Sequence, residues 1–84
     1  MIDSIREILL RHGRLEVAPQ AFAEDADLYQ AGMTSHATVN VMLALEAAYD
    51  VEFPDRMLRR SVFQSIRSIR AALAELKPDV AVAG

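Results

Sequence analysis

Apolar residues recur at three- and four-residue intervals in three separate stretches of this chain and nowhere alternate with polar ones as a half-buried strand requires. That pattern confines 84 residues to a set of amphipathic helices. In the first stretch Ile5, Ile8 and Leu9 follow Ser4-x-x-Glu7, a capping-box spacing, and Gly13 reads as a left-handed stop, so a helix is expected over about residues 3–12. The second, over residues 35–49, sets Met42, Leu45 and Tyr49 on one face with Val41 beside them. The third runs from about Phe63 to Leu76 with Phe63, Ile66, Ile69, Leu73 and Leu76 as its buried stripe, ended by Pro78.

The connections are read from turn chemistry. Residues 14–33 lack a sustained period, and Pro19 with Glu24-Asp25-Ala26-Asp27 marks a long loop carrying one short turn near 28–31. Leu15, Val17, Phe22 and Leu28 are expected to pin it to the core. Gly32 permits a sharp bend, and Thr34 or Ser35 can cap the next helix. Val51-Glu52-Phe53-Pro54 is extended, because a residue before proline disfavours helix, and residues 55–59 can make one helical turn. The expected fold is all-α: three main helices plus one short helix, with a long loop after helix 1. Residues 1–77 form the domain and residues 78–84 a frayed tail.

Composition excludes several function classes. With no cysteine there is no disulfide scaffold and no thiolate metal site, and two histidines leave little equipment for acid–base catalysis. No enzyme and no metal centre is expected. The start lacks the basic-then-apolar order of a secretory signal, and polar residues interrupt the uncharged run at 28–45, so no membrane span is expected and the cytoplasm is the expected compartment. Between Leu15 and Asp55 stand eight acids and no Lys or Arg; between Arg56 and Lys77 stand six basic residues and one acid. That asymmetry reads as two solvated halves in weak mutual attraction, or as a field that steers a partner. Nucleic acid is not the expected partner, given the net acidity and the few aromatic residues available for stacking.

The informative chemistry lies at the loop-to-helix junction. A serine in the first turn of a helix is surrounded by unpaired amides, where a phosphate ester is electrostatically welcome. With Thr34 as the cap, the Ser35 hydroxyl is left to point outward. Serine at a helix start is commonplace, however, and on spacing alone Ser35 reads as the cap itself or an idle surface hydroxyl.

The stretch Asp27-Leu28-Tyr29-Gln30-Ala31-Gly32-Met33-Thr34-Ser35 resembles the corresponding junction of the acyl carrier protein family, in which an apolar residue, Asp, Ser and Leu follow a D-L-x-x-x-G stretch. The resemblance continues through Thr38-Val39, Met42-Leu43-Ala44-Leu45-Glu46, Tyr49 and Val51-Glu52-Phe53-Pro54-Asp55, and covers residues 3 to about 76. It implies that a phosphopantetheinyl transferase, with magnesium assisting, moves 4′-phosphopantetheine from coenzyme A onto Ser35. The arm's thiol then holds a carboxylic acid as a thioester. A chain without cysteine can use a thiol only when a cofactor brings one.

Two positions depart from the family's motif: Thr34 stands where Asp is usual and His36 where Leu is usual. The second helix is also neutral at Ala37, Asn40, Ala47 and Ala48, with Glu46 its one acid. That implies a partner without a cationic groove, met by a mixed stripe of His36, Val39, Asn40 and Leu43, with Thr34 at its head. Arg56, Arg59 and Arg60, beside the short third helix, either contact the arm's phosphate or a partner enzyme, or form a solvated basic face. Met42 is read as core. The neutral helix and the junction are similar to the stand-alone aminoacyl carrier proteins. That branch implies glycine or alanine as cargo, loaded by an ATP-dependent amino acid:carrier protein ligase related to class II seryl-tRNA synthetases. The downstream acceptor is unassigned, and the carrier is expected to be a monomer. A fatty-acyl or polyketide-type carrier is the alternative, followed by a non-covalent interaction bundle.

Overall fold

A computed structural model describes residues 2–15 and 23–77. Among the described residues four helices follow in order: α1 (Ile2–His12), α2 (Ser35–Tyr49), α3 (Arg60–Phe63) and α4 (Ile66–Leu76), with a 3-10 turn at Asp55–Met57 before α3. No strand occurs among the described residues, so the all-helical expectation is borne out. The expectations for Val17, Pro19, Phe22 and the tail at 78–84 lie outside the described residues.

The core is one cluster. Ile5 and Leu9 from α1 meet Ala37, Val41 and Leu45 from α2 and Ile66, Ile69 and Leu73 from α4, all without solvent exposure. Each Leu or Ile so buried contributes roughly 1.5–3 kcal/mol. Leu28 is fully buried and Leu15 packs against the cluster, so the loop is pinned where the sequence places these two. On α2 the buried line is Ala37, Val41 and Leu45, while Met42 and Tyr49 sit half-buried at its edge. Below it, Phe53 and Phe63 meet edge to face at 5.3 Å.

Three expectations need correction. Helix α1 begins at Ile2, which puts Ser4 inside its first turn and not at a cap. The left-handed residue after α1 is Arg14 (φ 53°), not Gly13. Gly13 is buried and close-packed instead: a Cβ there would stand 2.7 Å from the Leu9 carbonyl oxygen. The stripe read as one helix from Phe63 to Leu76 is two helices, because Ser65 takes an extended backbone (φ −146°, ψ 163°) and opens α4 with a capping box to Ser68. Phe63 therefore belongs to α3.

The charge asymmetry is partly used inside the fold. Arg70 stands 3.2 Å from Glu24 Oε1, close enough to compensate its charge but off-line for a hydrogen bond. Arg56 pairs with Glu75 at 2.8 Å. Both pairs are substantially exposed and contribute little to stability.

Candidate functional site

The site is set by what holds the end of the loop. Asp27 Oδ1 accepts hydrogen bonds from the N–H groups of Tyr29 (2.9 Å) and Gln30 (3.3 Å), which shapes the turn at 28–32. Its Oδ2 accepts from Gln64 Nε2 at 3.1 Å, and the Leu28 N–H donates to the Gln64 carbonyl at 2.7 Å. A third tie runs from the Arg67 N–H to the Glu24 carbonyl at 2.9 Å. The loop is thus clasped to the break between α3 and α4. The Gln64 hydrogen bond, followed by the two backbone donors and the charge of Arg60, holds the Asp27 carboxyl below its ordinary range against the opposing effect of burial.

Gly32 then turns the chain at φ 113°, a backbone that side chains resist, and Met33 is buried behind it. Thr34 is the extended N-cap of α2, and its hydroxyl accepts from the Ala37 N–H at 3.0 Å. The next residue, Ser35, is exposed in the first turn and its side chain has no hydrogen bond to any described residue. Of the two hydroxyls at this helix start, one caps and the other is spare.

Beside Ser35 opens a pocket of about 300 Å³. Helix α2 supplies Ser35, Thr38, Val39 and Met42, and the segment leading into α3 supplies Leu58, Arg59, Arg60 and Phe63. Tyr29 completes the lining, with its ring under the Arg60 guanidinium at 4.2 Å and its hydroxyl accepting from Thr38 Oγ1 at 3.3 Å. Val39 and Leu58, each about half exposed, are apolar lips of this opening. Met42 is both a core neighbour and a pocket wall.

The remaining sequence-picked residues divide among several places. His36 is exposed next to Ser35. Val39 lines the pocket, whereas Asn40 and Leu43 line a separate groove between α1 and α2, floored by Ala44, Ala47 and Ala48. Arg56 is absent from the pocket lining; its neighbours Arg59 and Arg60 occupy that position. Tyr29 and Leu58 escape sequence reading, since Tyr29 meets Arg60 across 31 positions and no local pattern announces that contact. Glu46, read as the acid of α2, turns inward: its Oε2 accepts the Phe53 N–H at 2.9 Å and ties down the extended segment. The exposed face of α2 therefore carries no carboxylate, Lys or Arg.

No group of three potential metal-ligating side chains occurs among the described residues, and no described helix is long and apolar enough to cross a membrane.

Comparison with known proteins gives this geometry its context. The model of the family described as the phosphopantetheine attachment site matches residues 3–76. The chain is 48% identical over 69 residues to the aminoacyl carrier protein of Agrobacterium fabrum, a span covering 82% of this chain and 83% of that relative. Among solved structures it is similar to a carrier protein from Agrobacterium tumefaciens in a crystal structure with an engineered Bradyrhizobium japonicum glycine:carrier protein ligase and ATP. The TM-score there is 0.86 at 43% identity, over 89% of this chain and 97% of that one. A chain of the Bradyrhizobium japonicum glycine:carrier protein ligase complex with glycylated carrier protein matches at a TM-score of 0.72 and 25% identity, over 84% of this chain and 95% of that one. A spare hydroxyl at a capped helix start is what an attached prosthetic arm needs, and the chain belongs to the family of carrier proteins that bear phosphopantetheine, partners of enzymes and not enzymes themselves.

Proposed function

We propose that this chain is an aminoacyl carrier whose phosphopantetheine arm is attached to Ser35. The observation that carries the reading is the division of labour at α2: Thr34 does the capping, so the Ser35 hydroxyl is exposed and unengaged. The surroundings fit the group, since a phosphodiester on Ser35 would stand at the first turn of α2 beside the pocket that Arg59 also lines, and no carboxylate is among the described lining residues. A phosphopantetheinyl transferase forms the Ser35 Oγ–phosphorus bond as the phosphoanhydride of coenzyme A breaks; the nucleotide half and the hydroxyl proton leave. When bound, the arm supplies a thiol that holds a carboxylic acid as a thioester.

An amino acid as cargo, glycine or alanine, is supported by the named relatives and by the uncharged face of α2. A ligase related to class II seryl-tRNA synthetases would load it, meeting Thr34, His36, Val39, Asn40 and Leu43, with Arg56 an outlying contact beside Glu75. The working unit is residues 1–77, a cytoplasmic monomer. One observation favours a second reading: Val39, Met42 and Phe63 give the pocket apolar walls that would shelter a short fatty-acyl or polyketide chain.

Two measurements test this. Treatment with a broad-specificity transferase and coenzyme A should raise the intact mass by one phosphopantetheine, and Ser35→Ala should fold normally and gain nothing. Loading with ATP and each candidate acid, using the cognate ligase, should then favour small amino acids; activation of fatty acids alone would select the second reading. A parent protein that stays unmodified beside a working transferase would overturn both.

A further inference from the structure

We propose that Arg59 positions the arm, its guanidinium holding the phosphodiester at the root of the arm against the pocket wall; this rests on attachment at Ser35. Arg59 and Ser35 line the same pocket, and among the described residues no carboxylate lines it to compete. The neighbouring arginines already have partners. Arg56 pairs with Glu75 at 2.8 Å, Arg60 lies over the Tyr29 ring at 4.2 Å, and Arg70 faces Glu24 at 3.2 Å. Arg67 is exposed on α4 and is not part of the pocket. Arg59 has no ion pair and no side-chain hydrogen bond to a described residue; it is the N-cap residue of α3, but only its backbone takes part there, the carbonyl accepting from the Val62 N–H at 3.1 Å. Its fork of donors matches the two free oxygens of a phosphodiester, which carries one negative charge.

The same charges discriminate along the length of the arm. Arg59 and Arg60 attract the phosphate and repel the ammonium group of an aminoacyl end, so the arm is held at its root and not at its tip. Exposed ion pairs are weak, and the contact biases the arm's position by only about one- to fivefold. A bias of that size leaves the cargo free to enter a partner's site.

The parent, Arg59→Gln, Arg59→Lys and Arg67→Gln proteins would each be loaded from coenzyme A, verified by intact mass, and followed by phosphorus NMR from low salt to about 1 M, where the screening length is about 3 Å. In the parent and in Arg67→Gln the phosphodiester resonance should move with salt. In Arg59→Gln the movement should shrink to the smaller part that Arg60 supplies, with Arg59→Lys restoring part of the difference and circular dichroism unchanged. In the parent alone, the Arg59 side-chain N–H resonance should shift on loading while that of Arg67 stays. An Arg59→Gln protein that follows the parent's salt curve, or an Arg59 resonance indifferent to loading, overturns the inference while attachment at Ser35 stands. Failure of the parent to load overturns the attachment and the inference together.

Discussion

Helices α2 and α4 both start with a pair of hydroxyl residues, and the two pairs are used in opposite ways. At α4 both are consumed. Ser65 Oγ accepts from the Ser68 N–H and Ser68 Oγ accepts from the Ser65 N–H, each at 3.0 Å, while Ser68 Oγ also donates to the Val62 carbonyl at 2.8 Å. At α2 only Thr34 is consumed, by the Ala37 N–H, and Ser35 is left exposed. The spacing explains the difference. A hydroxyl three residues into the helix can reach back to its cap and close a box, whereas a hydroxyl immediately after the cap is not placed to reach back to it. Adjacent hydroxyls therefore separate holding the helix from doing chemistry; spaced hydroxyls merge both into holding.

The sharpest break of this contrast is an exchange of alanines. Ser35→Ala should abolish loading and leave stability within about 0.5 kcal/mol. Ser65→Ala should load fully yet lose about 1 kcal/mol, a fall in melting temperature of about 4–8 °C. Intact mass and thermal melts read both. On stability alone the largest cost falls at Gly32: Gly32→Ala forces a side chain onto a backbone at φ 113° and should cost about 1–3 kcal/mol in denaturant melts, whereas the α4 start, with Gln64 at φ −70°, has no comparable point.

Thr34→Ala should cost about 1 kcal/mol and slow loading, because Ser35 becomes the nearest hydroxyl for the orphaned amides; Thr34→Asp should keep both stability and loading rate. A time course of mass gain distinguishes them. The smallest effect concerns the clasp that joins the two helix starts. Asp27 titrates below its ordinary value in the folded chain, so its stabilising contribution is present above the unfolded carboxylate range and is lost as pH falls through the lowered value. Urea melts from neutral to acid pH should show a shallower acid slope for Asp27→Asn than for the parent.

Most of the site's first half is legible in the sequence. Gly32, Thr34 and Ser35 act through neighbours one to three positions away, and turn and cap chemistry is written at that range. The break at Gln64-Ser65 is not, because the apolar stripe from Phe63 to Leu76 keeps its helical period straight across it. A local sign does exist in Ser65-Ile66-Arg67-Ser68, but the reason for a break there, the bonds from Gln64 to Asp27 and Leu28, spans 36 positions or more. The pocket wall of Arg60 on Tyr29 is hidden for the same cause. Glu46 reads as a surface acid because its partner is a backbone amide seven residues on, which residue type alone does not reveal.

That inward turn of Glu46 reaches beyond the fold. A helix face whose one carboxylate is tied into the fold adds little steering of its own, so an approaching protein is oriented mainly by the charges that flank it, Arg59 and Arg60 at the pocket among them. On the helix face itself, discrimination between partners then falls mostly to how long each one stays.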